Sequence, residues 1–229
     1  MKKVDLREEL KQLYDPSAKE VVEVEVPETL FLMVDGQGDP ATSVAYQEAV
    51  ETLYALSYDL KFATKEEEGV DYAVMPLEGL WWVDEEGAAL KDILENRDKW
   101  KWTSMIMQPE WVTERRVERA LASVEKKKGL PALRRVRFEP FHEGRAAQVM
   151  HVGPHAEERP TIERVDRFIE ERGARMWGKH HEIYLTDPSR TAPKKNKTVI
   201  RPATLSDGPR KHRQRSTARR PERAAPRTA

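Results

Sequence analysis

The sequence predicts an α+β fold of tandem duplicated strand-helix-strand-strand modules with pseudo-twofold symmetry and a central ligand groove. Two stretches alternate apolar and polar residues and break at proline: Val21 to Val26 before Pro27, and Arg135 to Glu139 before Pro140. Each leads into a second strand that ends at glycine, Thr29 to Val34 before Asp35-Gly36 and Ala146 to Val152 before Gly153. Each glycine is followed by an amphipathic segment and then by further strands. Two matching units of about 110 residues are too long for a solenoid repeat, and one paired domain with a cleft at the junction is the economical packing.

In the first unit, residues 20–112, Ser43 is placed to cap a helix whose stripe is Val44, Val50, Leu53, Tyr54 and Leu60. Strands follow at Tyr72 to Val83 and Trp100 to Gln108. A linking helix over 113–128 buries Val117, Leu121 and Val124 and stops at Gly129. In the second unit, residues 130–205, Pro160 and Thr161 open a helix carrying Ile162, Val165, Phe168 and Ile169, with Gly173 as its stop. Strands at His180 to Thr186 and Lys197 to Ala203 complete it. The domain is thus expected to span residues 1–207.

Charge separates this body from the C-terminal segment. Residues 1–209 carry 32 Lys or Arg and 39 Asp or Glu, a net of −7, whereas the segment from Arg210 holds eight bases and one acid, Glu222. That segment has no apolar periodicity, so residues 208–229 are expected to be a disordered basic tail. Nucleic acid enters as a partner only through phosphate contacts of this tail, and a passive solvated extension is the competing reading. Cysteine is absent, which excludes disulfides, thiolate metal sites and thiol nucleophiles. With no apolar run near 18 residues and no apolar leader, a cytoplasmic protein without membrane contact is expected, as a monomer or homodimer.

The chemistry concentrates in His180-His181-Glu182-Ile183-Tyr184-Leu185. On a strand, Glu182 and Tyr184 share one face and Ile183 and Leu185 the other. A carboxylate facing a cleft is costly unless it has a use. Five of the six tryptophans lie between Trp81 and Trp111. Trp100 and Trp102 share a face, and Trp81 and Trp82 oppose each other. The candidate ligand-binding set is Trp81, Trp82, Trp100, Trp102, Trp111 and Trp177 with the soft side chains Met105 and Met107, although each ring is also what an ordinary core would bury.

Three segments carry a family resemblance: Met75-Pro76-Leu77-Glu78-Gly79-Leu80-Trp81-Trp82, Lys99 to Pro109, and His180 to Arg190 with Lys197-Thr198-Val199-Ile200-Arg201. From about Lys2 to Thr204 the chain resembles the GyrI-like small-molecule-binding family, most closely its stand-alone bacterial members. The resemblance implies a groove for bulky planar aromatic or cationic small molecules, with Glu182 inside it. It also implies two activities: hydrolysis of the cyclopropane ring of DNA-alkylating cyclopropylindole compounds, or non-catalytic sensing and sequestration. Residues 1–20 are too few for an attached helix-turn-helix.

For hydrolysis, the candidate catalytic residues are Glu182 as base, with Tyr184 or Tyr72 positioning water or donating to the developing oxyanion. For binding alone, a carboxylate among aromatic walls attracts a cation. No cofactor is called for. No metal site is expected either, since His181 points away from Glu182 and Gly153-Pro154 prevents a helix that would align His151 with His155. The glycines of Asp35-Gly36-Gln37-Gly38-Asp39-Pro40 read as a turn, because adjacent acids would repel a phosphate.

Overall fold

The computed structural model describes residues 1–84 and 97–206. The basic tail expected from residue 208 onward lies outside the described residues. Twelve strands are described: β1 Lys2–Val4, β2 Val22–Val26, β3 Thr29–Gln37, β4 Val70–Tyr72, β5 Leu77–Trp82, β6 Lys101–Gln108, β7 Arg137–Phe141, β8 Gly144–Val152, β9 Ala174–Trp177, β10 His180–Tyr184, β11 Lys197–Ile200 and β12 Ala203–Ser206. The helices are α1 Leu6–Glu9, α2 Lys11–Tyr14, α3 Val44–Glu68, α4 Glu114–Lys128 and α5 Arg159–Glu171.

Ten strands form one antiparallel sheet in the order β7-β3-β6-β5-β10-β11-β8-β12-β9, with β2 also on β8. Its centre is the β5–β10 pair, where Glu182 lies opposite Gly79 and Ile183 opposite Glu78. About that centre β6 matches β11 and β3 matches β8, which is the expected pseudo-twofold. The first strand of each unit is exchanged: β2 pairs with β8 of the second unit, and β7 pairs with β3 of the first. Pro27 ends β2 as expected, whereas Pro140 lies within β7, opposite Leu30, so the second alternating stretch runs on through its proline to Phe141.

Ser43 accepts the Tyr46 N–H and starts α3, and Gly69, in the left-handed region, ends it. The long helix covers the first half of the sheet, while α5 inserts Ile162, Val165 and Ile169 against Ala147, Val149 and Ile200 of the second. α4 packs outside α3, tied to it by Arg119 to Glu67 and Ser123 to Asp59. On the reverse face, α1 and α2 cover the central strands.

Two expected strands are shorter than their patterns. Tyr72 to Val83 divides at Val74-Met75-Pro76 into β4, which pairs in parallel with β1, and β5. Lys197 to Ala203 divides at Arg201-Pro202, and β12 turns away to pair with β9. Among the described residues no helix is long and apolar enough to cross a membrane.

Candidate functional site

The space between α3 and the turn leading into α5 is a cavity of about 840 Å³ floored by β5 and β10. Strand alternation puts Leu77 and Trp81 of β5, and Glu182 and Tyr184 of β10, on that floor. Tyr46, Val50, Tyr54 and Tyr58 of α3 form one wall, and Trp100 closes an edge. Ring contacts bind the wall together: Trp81 to Trp100 at 5.3 Å, and Tyr46 to Trp81 at 5.8 Å between centroids.

The opposite wall supplies charge. After Gly153 and Pro154 the chain makes a single tight turn, and residues three apart on such a turn align. His155 and Glu158 thus both face the cavity, with His155 Nδ1 and Glu158 Oε1 2.8 Å apart. Nearest oxygen or nitrogen atoms of His155, Glu158 and Glu182 all lie within 4.8 Å of one another.

Glu182 is held at both oxygens. The Tyr184 hydroxyl donates to Oε2 at 2.8 Å, and His180 Nε2 meets Oε1 at 2.9 Å. Trp81 Nε1 donates in turn to the Tyr184 oxygen at 3.0 Å, so the aromatic wall is hydrogen-bonded to the carboxylate. Gly79 makes this possible. A Cβ there would stand 2.7 Å from Trp81 Nε1 and 3.0 Å from the Tyr184 oxygen.

The two carboxyls are shifted in opposite directions. Burial pushes Glu182 up, but the hydrogen bonds from His180 and Tyr184 and the nearby His180 and His155 rings outweigh it and hold the group below the usual carboxylate range. Glu158 moves the other way, raised first by burial and then by the Glu182 charge, against the hydrogen bond from His155. The bond to Glu158 raises His155 against its own burial. Burial and the Glu182 charge keep the Tyr184 phenol protonated far above neutrality. Carboxyls whose environments drive them apart divide naturally into base and acid. His155, Glu158 and Glu182 are also spaced to close on a divalent cation, a set the sequence reading did not bring together.

Of the residues singled out in the sequence, the structure brings Glu182, Tyr184, Trp81 and Trp100 to the cavity. Trp102 is fully buried one layer behind, edge-on to Tyr46 at 5.1 Å and lying over Gly36. Met105 and Met107 alternate with Trp102 along β6 and so point to the reverse face. Tyr72 belongs to the small β1–β4 sheet, buried against Trp111 at 5.7 Å, and neither lines the cavity. Trp82 takes the opposite face from Trp81, with Lys179 Nζ 3.4 Å above its ring, and Trp177 is on the outer strand β9, 57% exposed. His155, Glu158 and the α3 tyrosines were missed. The Tyr46, Tyr54, Tyr58, Phe62 series at near-helical spacing was the available signal for the tyrosines; for His155 and Glu158 there was none beyond their place after a turn.

The GyrI-like small molecule binding domain matches residues 19–201. The chain belongs to the GyrI-like family. An uncharacterized conserved protein from Listeria innocua is 40% identical, with 88% of this chain and 100% of that one covered and a TM-score of 0.80. A hydrolase from Listeria innocua is 41% identical, with 89% and 100% covered and a TM-score of 0.78, and a second structure of a Listeria innocua hydrolase is 38% identical, with 88% and 100% covered at 0.76. No curated protein sequence matches significantly. The cavity of this GyrI-like domain sits between its two halves, over the β5–β10 centre.

Proposed function

We propose that this GyrI-like protein is a detoxifying hydrolase that adds water to the strained cyclopropane of planar cyclopropylindole-type compounds. The observation that carries this reading is the convergence of Glu182, Glu158 and His155 against an aromatic wall, with the two carboxyls shifted in opposite directions. The likeness to the Listeria innocua hydrolases supports catalysis over binding alone.

In the proposed reaction a planar substrate stacks on Trp81, Trp100 and Tyr46. Water attacks the methylene carbon of the ring, a C–O bond forms, and one cyclopropane C–C bond breaks. Its electron pair passes through the conjugated system to the carbonyl oxygen, which becomes a phenolate. Glu182, the ionised group, faces the water and takes its proton; beside the phenolate it would be repelled. Glu158 and His155, which hold protons to higher pH than usual, give one to the phenolate oxygen; the proton on Glu182 then passes to that pair, within 4.8 Å, so the groups are restored and the sum is substrate plus water. Tyr184 fixes the Glu182 orientation through its 2.8 Å bond.

A second reading, sequestration of cationic aromatic compounds, is favoured by the same carboxylates among aromatic rings, where each cation–π contact contributes roughly 0.5–2 kcal/mol. Incubation with a cyclopropylindole alkylator followed by mass analysis separates the two. Hydrolysis predicts a product heavier by one water. Recovery of unchanged compound bound to the protein would leave sequestration.

A further inference from the structure

Trp177 on β9 is 57% exposed, more than any other Phe, Tyr or Trp among the described residues. A ring of this size open to water gives up its burial and does little for the fold. It stands opposite Ala203 of β12, and Arg175 stands opposite Leu205, which is 41% exposed. Ala203 pairs in turn with Ala146, which alternates with the Ala147 and Val149 that pack against α5. Trp177, Arg175 and Leu205 therefore share the sheet face that α5 leaves open, which is also the face of Trp82. Exposed cations lie over both rings: Arg175 Cζ is 5.6 Å from the Trp177 centroid, and Lys179 Nζ is 3.4 Å from that of Trp82.

The sequence adds charge at this place. β12 ends at Ser206, opposite Ala174 of β9, and from Arg210 onward the chain carries eight Lys or Arg and one acid. Four residues span at most about 14 Å, so the basic run begins within that distance of the β9–β12 pair. Residues 1–209 carry a net of −7, and the cations nearer the sheet centre are matched, Arg137 with Asp35 at 2.8 Å and Lys101 with Asp84. The body as a whole repels a polyanion, and attraction is concentrated at this end. We infer that the β9–β12 end of the sheet, with the basic segment that follows it, is a docking surface for single-stranded nucleic acid. An unpaired base stacks on Trp177, while Arg175, Lys179 and the bases from Arg210 onward meet the phosphates. A duplex keeps the faces of its bases stacked on one another, so a single strand is the better occupant. The surface lies on the face away from the cavity and does not rest on the hydrolysis proposed above.

The test follows the fluorescence anisotropy of a fluorescein-labelled oligothymidylate of about 20 nucleotides, long enough for several contacts, on addition of the full chain. Binding is expected at about 50 mM salt, weakening with a log–log slope of roughly −3 to −5, at about 0.7 for each phosphate neutralised. Trp177→Ala should weaken it about 5- to 150-fold, the worth of one base stacked on an aromatic ring, and Trp177→Phe should restore most of the loss. Changing Arg210, Arg213, Arg215 and Arg219 together to Gln should flatten the slope by about 3. Circular dichroism checks the fold of each variant. No binding at low salt would overturn the inference. So would a duplex bound as tightly as the single strand with Trp177→Ala without effect, since charge alone would then account for the binding. Binding to vesicles of phosphatidylserine and phosphatidylcholine in preference to the oligonucleotide would also overturn it and make this a membrane-facing surface.

Discussion

Gly79→Ala probes the joint between the aromatic wall and the carboxylate. The glycine lies outside the left-handed region, so alanine is compatible with the backbone and the effect is steric. The new methyl would stand 2.7 Å from Trp81 Nε1, 3.1 Å from its ring carbon and 3.0 Å from the Tyr184 oxygen, against ordinary contacts of 3.4 Å or more. Trp81 and Tyr184 must each move by several tenths of an ångström, and those two atoms are the ends of one 3.0 Å hydrogen bond. Overpacking of this kind costs about 1–3 kcal/mol. For a domain near 200 residues that is a fall in melting temperature of roughly 2–12 °C. Because Tyr184 also holds Glu182, turnover of a cyclopropylindole should drop further than stability alone explains, by up to about 100-fold. Thermal denaturation followed by circular dichroism, with mass-based turnover measured well below the transition, gives both numbers. A melting temperature within about 1 °C of the native value, with unchanged turnover, would refute the assignment of Gly79 as the space that lets Trp81 reach Tyr184.

Glu182→Gln should reduce hydrolysis by about 100-fold or more while the fold and aromatic binding persist; native turnover in the same assay would end its role as base. A planar aromatic ligand should quench intrinsic fluorescence through Trp81 and Trp100, and Trp177→Phe should leave that quenching unchanged, since Trp177 lies on the outer strand β9. Tyr184→Phe leaves Trp81 Nε1 and one Glu182 oxygen without their partner and should destabilise by about 1–3 kcal/mol, read by urea denaturation. His181 is raised to about 9: burial opposes its charge, but the Glu143 charge and hydrogen bonds to Glu143 and Glu78 prevail. A raised folded pKa gives stability that is complete below about 6.5 and lost as pH climbs through about 9, here roughly 3 kcal/mol. Denaturation midpoints that stay level between pH 6.5 and 9.5 would contradict the charged His181.

The order of elements was readable because the strand pattern repeats, with proline and glycine at corresponding places in both halves. The face of Glu182 was readable too, since alternation on β10 depends only on counting. What counting could not supply was which elements meet. β2 and β7 exchange halves through long-range pairing, and it is the β8–β11–β10 order that brings the turn at His155 and Glu158, which follows β8, beside β10. Tyr72 fell on a strand pattern continuous with Trp81, but Pro76 interrupts the hydrogen-bonding ladder and leaves Tyr72 in another sheet. Met105 and Met107 drew attention as soft neighbours of the tryptophans, yet their parity along β6 places them on the reverse face. Tyr54 read as core stripe, because helical spacing alone does not say whether the space in front of a ring is filled.

The reverse face explains why Glu182 stays in place. Directly behind it, His181 bonds Glu78 Oε2 at 2.9 Å and Glu143 Oε1 at 2.9 Å, and Tyr14 donates to Glu78 at 2.7 Å. Arg201 joins this cluster through Gln148 at 2.9 Å, and its own N–H donates to the His181 carbonyl at 2.9 Å. All of these side chains are buried, so two carboxylates are balanced by the arginine and the charged histidine. Breaking such a set leaves an uncompensated charge and costs about 3–5 kcal/mol. β10 therefore has little freedom to slide or twist, being anchored behind at His181 and in front at Tyr184. A carboxylate that must meet a water at one point of a cavity benefits from a strand fixed on both faces, and the alternation that first marked Glu182 is what lets two adjacent residues do these separate jobs.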